Sequence, residues 1–352
     1  MCAAVDLACT QADAGHTVYI CSRGGHFDAV LAPHGVKHVK IAHGARSPRP
    51  AIKLLALVRL IRAFKPDIVH AHMIASTLVG AVFRTFRRFK FVTTVHNEFQ
   101  TLAIVMGTAD RVIGVSGFVT QSMIRRGIPA RKVRTVLNGT IHSPRSPGSP
   151  SHAAILSRPA ILHVGGLHPR KGVDDLIKAF AIICRRFPEA HLYLVGSGPH
   201  QAEYEALARD VAPAGRVVFR GHTDDPGSYM RGADIFVLAS RSEPASLVLS
   251  EAREAGCAVV ATDVGGTKEM LENGAAGILV LPDRPDLLAN ALSDLLGEPQ
   301  CLAEAKARSQ INIEKMSLRR VAAETEQVYR EILEDARAHR DAGARARNVI
   351  DA

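Results

Sequence analysis

Short apolar segments alternate with amphipathic helical patterns along most of this 352-residue chain, and this alternation restricts the fold more than any other feature. In the second half, strands are predicted at 159–164, 191–195, 217–220, 234–239 and 258–262. Helical patterns are predicted at 173–187, 201–211, 247–254 and 286–296. Strands that alternate with helices favour a parallel sheet with helices on its faces and a ligand at the carboxyl ends of its strands.

The first half repeats this alternation. Strands are predicted there at 17–21, 67–71, 89–95, 111–115 and 133–137, and helices at 52–64, 75–83 and 116–126. A chain of this length has room for two domains, each with a sizeable core. We therefore predict an α/β protein with two Rossmann-like domains that face each other across a cleft.

A segment rich in Pro and Ser at 143–152 has the composition of a linker. We predict an N-terminal domain at 1–142 and a C-terminal domain at 153–316. A C-terminal helix at 317–336 is predicted to pack back toward the N-terminal domain. The tail at 337–352, rich in Ala and Arg, is predicted to be a frayed helix or disordered.

Two acidic residues eight positions apart, Glu243 and Glu251, carry the strongest functional signal. Glu243 lies in a loop after a buried strand, and Glu251 lies inside the helix that follows. This spacing can place both carboxylates beside one helix N-terminus, where amide groups and the helix dipole favour a phosphate. Such a site suits a nucleotide sugar, whose hydroxyl groups the carboxylates would bind. The alternative is an ordinary strand–loop–helix with two solvated acids.

The stretch 243–266 resembles the Glu…Glu motif of the retaining glycosyltransferases of family 4, which have the GT-B architecture. Thr93-Thr94-Val95-His96 resembles that family's strand ending in a histidine that faces the donor sugar. The segment 163–172 resembles its phosphate-binding turn. Further matching segments are 112–116, with a serine helix cap, and 132–139. The resemblance runs from about residue 3 to residue 333 and implies a GT-B fold.

The resemblance also implies a role for each matching residue. Lys171, with Arg170 beside it, would stabilise the negative charge that grows on the departing diphosphate. Glu251 would accept hydrogen bonds from the ribose, Glu243 from the sugar, and a neutral His96 would hold a sugar hydroxyl. The configuration at the transferred sugar would be retained without a carboxylate nucleophile. The implied donor-binding set is completed by Gly166, Gly196, Ser246 and Leu247.

The chain departs from the family pattern in four places, one of which is Thr140-Ile141 where Val-Asp is common. Gly166 stands where an arginine is usual, and Ala245-Ser246 replaces Phe-Gly. The chain begins on what resembles the family's first helix, so the first strand and its Gly-rich loop are not in the sequence. Either the start given is internal to a longer protein, or this form lacks a central strand and half of a phosphate site. Missing a central strand would leave two neighbouring sheet edges unpaired.

Charge is uneven along the chain. Residues 1–150 hold 20 basic and 6 acidic residues, a balance of +14, whereas the whole chain carries +10. A basic half indicates an anionic partner. Phenylalanines alternate with cations in 83–91, which suits an anionic membrane surface contacted by Arg84, Arg87, Arg88 and Lys90. The alternative is that the phenylalanines enter the core. Stacking on single-stranded nucleic acid is less favoured, and no nucleic-acid partner is expected.

Metal and cofactor signals are weak. Six scattered cysteines without a Cys-x-x-Cys pair indicate buried free thiols rather than zinc or disulfides. His70 and His72 could form a metal half-site, but no ligands at matching spacing accompany them. We expect no metal ligands, no cofactor and no divalent-metal requirement. Without a leader or a long apolar run, the expected location is cytoplasmic, peripheral at the inner face of the membrane.

The sequence thus predicts a hexosyltransferase-type enzyme that moves a sugar from a UDP- or GDP-sugar to a lipid-linked or polysaccharide acceptor in cell-envelope biosynthesis. One alternative is a nucleotide-sugar epimerase of similar shape. It would differ by releasing no nucleoside diphosphate in response to an acceptor. The other is a catalytically impaired protein that binds nucleotide sugars without turnover, which the departure at Gly166 would favour.

Overall fold

The computed structural model describes residues 2–22, 24, 27–40, 59–84, 89–97, 99–145 and 152–350, without the side chains of Arg84 and of residues 339–350. The chain forms two compact units. Unit 1 contains residues 1–137 and 318–352, and unit 2 contains residues 138–317.

Unit 1 begins with a helix, as the sequence pattern indicated. Its elements up to residue 137 are α1 (Cys2–Asp13), β1 (Tyr19–Ser22), α2 (Asp28–Leu31), β2 (Lys37–Lys40), β3 (Ile68–Ala71), α3 (Ile74–Arg84), β4 (Lys90–Val95), β5 (Arg111–Gly114), α4 (Gly117–Arg125) and β6 (Val133–Thr135). Short 3-10 helices lie at Ala32–His34, Thr101–Thr108 and Ala130–Lys132, and residues 59–64 are helical.

The described strands of unit 1 form two parallel sheets, β1-β2 and β3-β4-β5-β6. In the four-stranded sheet Val69 pairs with Phe91 and Thr94 with Ile113, so the carboxyl ends of the strands lie at one edge. Ser116 caps α4, since its side chain accepts a hydrogen bond from the Val119 amide, as the predicted serine cap requires. That a further strand belongs to this unit stays a prediction.

In the segment 83–91, which suggested a membrane contact, the described phenylalanine rings are buried. Phe83, Phe89 and Phe91 are all buried, and they pack in one cluster with Ala71 and Ala109. Arg84, Arg87 and Arg88 lie outside the described side chains. The membrane hypothesis therefore loses three of its four phenylalanines, because burial in the core leaves them unable to enter a bilayer.

Unit 2 follows the predicted alternation closely. Its elements are β7 (Ala160–Val164), α5 (Val173–Ile183), β8 (His191–Val195), α6 (Gln201–Val211), β9 (Val217–Gly221), α7 (Pro226–Gly232), β10 (Ile235–Leu238), α8 (Leu247–Glu254), β11 (Ala258–Thr262), α9 (Thr267–Met270), β12 (Ile278–Val280), α10 (Pro285–Gly297) and α11 (Pro299–Ser309). Short 3-10 helices lie at Pro169–Lys171, Glu272–Gly274 and Ile313–Met316.

The sheet of unit 2 has six parallel strands in the order β12-β11-β10-β7-β8-β9. The strand order reverses at β7, which has β10 on one side and β8 on the other, and such a switch point is where open α/β sheets bind ligands. The apolar face of α5 packs on this sheet, with Leu176, Ile177 and Phe180 fully buried. The predicted parallel α/β architecture is confirmed.

The last helix, α12 (Leu318–Ile350), belongs to unit 1. Arg134 donates to Glu331 at 2.9 Å, and Arg111 donates to Asp335 at 2.6 Å. The helix continues through most of the residues predicted as a tail. Within the described part of the chain, no helix combines the length and the apolar character needed to cross a bilayer.

Candidate nucleotide-sugar site

A cavity of about 260 Å³ opens in unit 2 at the carboxyl ends of β7, β8 and β9. Gly165 and Gly166 line it after β7, and Gly196 and Ser197 line it after β8. His222, after β9, lies on its far side. The cavity thus lies at the switch point of the sheet and contains two of the residues predicted to contact the donor, Gly166 and Gly196.

The two glycine turns that border the cavity are in direct backbone contact. The Gly165 amide donates to the Val195 carbonyl at 2.9 Å, and the Leu167 amide donates to Ser197 at 3.1 Å. Gly196 has φ +135°, and a Cβ there would lie 1.9 Å from the Gly165 carbonyl oxygen. Only glycine fits this position, so the turn presents bare backbone to a ligand.

Beyond these turns, Lys171 and Glu243 form a partly buried ion pair. Lys171 Nζ lies 2.5 Å from Glu243 Oε2, and Ser240 Oγ donates to the same oxygen at 3.2 Å. Arg170 lies 3.7 Å from it and donates to the Ser242 carbonyl. Glu243 is only 6% exposed. Three of the predicted site residues, the neighbours Arg170 and Lys171 and the distant Glu243, therefore meet in one cluster.

The loop after Glu243 leads into the N-terminus of α8. Asn138 Nδ2 donates to the Ala245 carbonyl at 3.0 Å and fixes the loop. Ser246 is the N-cap residue and Leu247 the first residue of α8. The Leu249 amide donates to the Ser246 carbonyl at 3.1 Å, and the amides before it have no carbonyl of a preceding helical turn to donate to. Ala245 is buried, and its small side chain is accommodated without the larger residue usual in the family.

Glu251 lies in the second turn of α8. Its Oε1 is 3.4 Å from the guanidinium of Arg145, and both side chains are 18% exposed. The carboxylate is thus held by a cation of its own unit. The predicted role of Glu251 at the ribose stays a prediction.

His96 directly follows β4 in unit 1 and lies beside a second histidine. Its Nε2 lies 3.0 Å from Nδ1 of His72, and the two rings are stacked at 5.3 Å. Burial, with the N-terminal charge as a smaller cause, lowers the pKa of His96 from 6.5 to about 4. A neutral His96 at neutral pH, as predicted, follows from this shift.

His70 has a separate set of partners. Its Nδ1 lies 2.6 Å from the Tyr329 hydroxyl on α12, and its Nε2 lies 2.7 Å from Thr94 Oγ1. Burial lowers the pKa of His70 to about 3, so the ring is neutral. Both ring nitrogens are engaged, which leaves none for a metal. Among the described residues, no three His, Cys, Asp or Glu side chains come together as a metal-binding set.

Sequence reasoning missed two residues beside the predicted site. His163, on β7, is fully buried, and its Nδ1 donates to the Val237 carbonyl at 3.1 Å. Its Nε2 has no hydrogen-bond partner among the described residues, and burial lowers its pKa to about 4. Arg241, two positions before Glu243, contacts three carboxylates. In the sequence, the closeness of Arg241 to Glu243 was the signal that could have indicated a structural role.

Gly166 stands where the family usually has an arginine, and the structure shows what surrounds this position. A Cβ at this position would lie 2.8 Å from Cδ2 of His168. The imidazole of His168 therefore occupies the space over the turn that a side chain at 166 would need. An arginine at 166 would require the His168 ring to move.

Comparison with known protein families agrees with this geometry. A sequence profile described as Glycosyltransferase Family 4 matches residues 3–144. A second, described as Glycosyl transferases group 1, matches residues 158–298. The chain belongs to glycosyltransferase family 4. This assignment confirms the predicted enzyme class, a glycosyltransferase of the hexosyltransferase type.

Similar proteins include family members from several bacteria. An uncharacterised glycosyltransferase of Haemophilus influenzae is 23% identical over 78% of this chain and 72% of its own length. The GDP-mannose-dependent α-(1-6)-phosphatidylinositol monomannoside mannosyltransferase of Mycolicibacterium smegmatis is 34% identical over 41% of this chain. That match spans only 40% of the mannosyltransferase.

Among solved structures, HepE of Anabaena superposes with a TM-score of 0.79. The match covers 94% of this chain and 95% of HepE at 22% sequence identity. At this identity the likeness establishes the fold alone, and it confirms the predicted GT-B architecture.

Proposed function

We propose that the enzyme binds a nucleoside-diphosphate sugar in the cavity of unit 2 and transfers the sugar to an acceptor. The observation that carries this proposal is the partly buried Lys171–Glu243 pair next to the glycine turns at Gly165 and Gly196. A cation beside two bare backbone turns suits a diphosphate. A buried carboxylate beside it suits sugar hydroxyls.

The leaving group defines what Lys171 would do. Breaking the bond between the sugar and the diphosphate develops negative charge on the diphosphate oxygen. Lys171, Arg170 and the amides at the start of α8 supply fixed positive potential, and they need little reorganisation because the ion pair and the Asn138 contact already hold them. Lys171 would be shared between Glu243 and the diphosphate when the donor is bound.

Two further residues would bind the rest of the donor. Glu251 on α8 would accept hydrogen bonds from the ribose, and its ion pair with Arg145 would then be partly broken. His96 of unit 1 would contact a hydroxyl of the transferred sugar as a neutral ring, since its pKa is lowered to about 4. We propose transfer with retention of configuration, in keeping with the resemblance to retaining enzymes.

The donor is proposed to be a UDP- or GDP-sugar. The HepE crystal structure contains UDP, and the mycobacterial relative is named as GDP-mannose-dependent. A lipid-linked or polysaccharide acceptor of the cell envelope is proposed, because that relative is named for a phosphatidylinositol mannoside acceptor. Contact with an anionic membrane through the basic first half, including Lys90, remains part of this proposal.

Thermal unfolding with UDP, GDP, ADP or CDP tests donor binding. A nucleotide at 100 times its dissociation constant stabilises the folded protein by about 2.7 kcal/mol. We expect one of UDP and GDP to raise the melting temperature and ADP and CDP to have no effect. Absence of a shift with every nucleotide would contradict the proposal.

Turnover distinguishes the enzyme from its alternatives. With the matching nucleotide sugar and a lipid extract from envelope-forming bacteria, we expect nucleoside diphosphate release that depends on the extract. Interconversion of the nucleotide sugar without that dependence would indicate an epimerase. Binding without release would indicate a nucleotide-sugar-binding protein, the reading that Gly166 favours.

A further inference from the structure

We propose that Arg241 is a positioning residue that holds the Lys171 turn against the Glu243 loop, so that both side chains are in place before the donor binds. This inference rests on the proposed function, because it concerns the same pair. It goes beyond that function by assigning a role to a residue that none of the family-like motifs contains.

The guanidinium of Arg241 uses all three of its nitrogens. Nε donates to Asp283 Oδ1 at 2.5 Å. One terminal nitrogen donates to the Pro169 carbonyl at 2.6 Å and to Asp174 Oδ1 at 2.9 Å. The other donates to Asp174 Oδ2 at 2.8 Å and to Asp175 Oδ2 at 2.5 Å. The fork geometry of arginine permits this set, and a lysine could not reproduce it.

These contacts join segments that carry the two reactive side chains. Pro169 begins the 3-10 helix that ends at Lys171, and Asp174 and Asp175 lie in the first turn of α5 directly after it. The backbone amide of Arg241 also donates to the Arg170 carbonyl at 2.8 Å. Arg241 itself lies two positions before Glu243. Side chain and backbone together therefore link the loop to four residues in and directly after the turn.

The surrounding carboxylates keep the guanidinium of Arg241 charged. Hydrogen bonding to Asp174, with further contributions from Asp283 and Asp175, raises the pKa of Arg241 above its ordinary value. The excess of carboxylates is offset by Lys178, which lies 3.7 Å from Asp174, and by the N-terminal dipole of α5. Side chains at Arg241 and Asp174 are about a quarter exposed, so solvent screens this network only in part.

Weaker contacts between the Lys171 turn and the Glu243 loop would affect donor binding through the position of Lys171. The ammonium of Lys171 contacts Glu243 between the turn and the loop that Arg241 connects. A shift of one ångström in a positioned group can lower a rate by about a hundredfold. Loss of the guanidinium should therefore weaken binding of the diphosphate although Arg241 does not itself touch the ligand.

A double-mutant cycle tests this dependence. The dissociation constants of UDP and GDP are measured by calorimetry for the wild type, Arg241→Met, Lys171→Met and the double variant. We expect about a tenfold loss from each single change. We also expect about a tenfold loss from the double change, since the second change removes nothing further. A hundredfold, additive loss in the double variant, or no loss in Arg241→Met, would overturn the inference.

Two controls separate positioning from general destabilisation. Arg284→Met removes an exposed arginine that pairs with Asp286 and should leave nucleotide affinity unchanged. Arg241→Lys keeps the charge but not the fork, so it should recover only part of the affinity. Full recovery by lysine would mean that charge alone matters and would overturn the positioning role.

Amide hydrogen exchange measures, without any nucleotide, how firmly Arg241 holds the Lys171 turn. The amides of Lys171 and Gly172 donate to His168 and Pro169 at 2.8 and 3.1 Å. In Arg241→Met we expect these amides to exchange at least about tenfold faster, with no change in Arg284→Met. Unchanged exchange would overturn the inference. If no nucleotide binds even the wild type, the proposed function fails, and the exchange result still decides whether Arg241 holds the turn.

Discussion

Gly265→Ala should disable the site by moving Glu243. Gly265 has φ +54°, and a Cβ there would lie 1.9 Å from the Glu243 carbonyl oxygen. Real Cβ atoms essentially never come closer than 3.0 Å, so the backbones at positions 243 and 265 must separate by about 1.1 Å, the difference between these distances. The same carbonyl accepts a hydrogen bond from Gly266 at 3.0 Å, which the shift would break. A displacement of this size predicts about a hundredfold loss of transfer rate.

The matched control is Gly215→Ala. Gly215 has φ +76° and nothing within 4 Å of its Cβ position, so it carries the same backbone penalty, about 1–2 kcal/mol, without the clash. The assay is acceptor-dependent release of nucleoside diphosphate, measured beside urea unfolding of both variants. Equal activities in the two variants would refute the reasoning, because the difference between them is the displacement of Glu243.

Three further predictions follow from the described contacts. Glu251→Ala should weaken nucleotide binding in calorimetry, while Glu243→Ala should mainly lower the rate of transfer; unchanged turnover in both would refute the site. The pKa of His96 falls from 6.5 to about 4 on folding, so the unfolded chain binds the extra proton between these values. Urea unfolding should therefore show stability falling as pH drops from 6.5 toward 4, with His96 contributing up to about 1.4 kcal/mol per pH unit and the slope smaller by up to that amount in His96→Asn; equal slopes would contradict the assignment. Arg253 is fully buried and donates to the carbonyls of residues 270, 309 and 311, so Arg253→Met should cost at least about 3 kcal/mol in the same assay; a loss under about 1 kcal/mol would contradict this role.

The alternation of strands and helices in unit 2 could be predicted because each buried strand is a continuous apolar run. The helices Gln201–Val211 and Leu247–Glu254 and the strand Ala258–Thr262 match their predicted bounds. The strand Lys37–Lys40 was missed because it is short and half polar. The helix Pro299–Ser309 was missed because its apolar face is weak.

Local motifs singled out Lys171 and Glu243 separately. Their ion pair, across 72 positions of sequence, is visible only in the fold. The role of Arg241 could not be predicted, because two of its partners, Asp174 and Asp283, are 67 and 42 positions away. Only the folded backbone brings these charges together. The same holds for His70, whose Tyr329 partner is 259 positions away.

The most direct test of the account is calorimetric titration of UDP and GDP into the wild type and into Lys171→Met. We expect one of the two nucleotides to bind the wild type and to bind Lys171→Met at least about tenfold more weakly, because the Lys171 side chain lies beside the turn at Gly165. Binding of equal strength to both proteins, or to neither, would contradict the assignment of a nucleoside-diphosphate site to the Lys171–Glu243 pair.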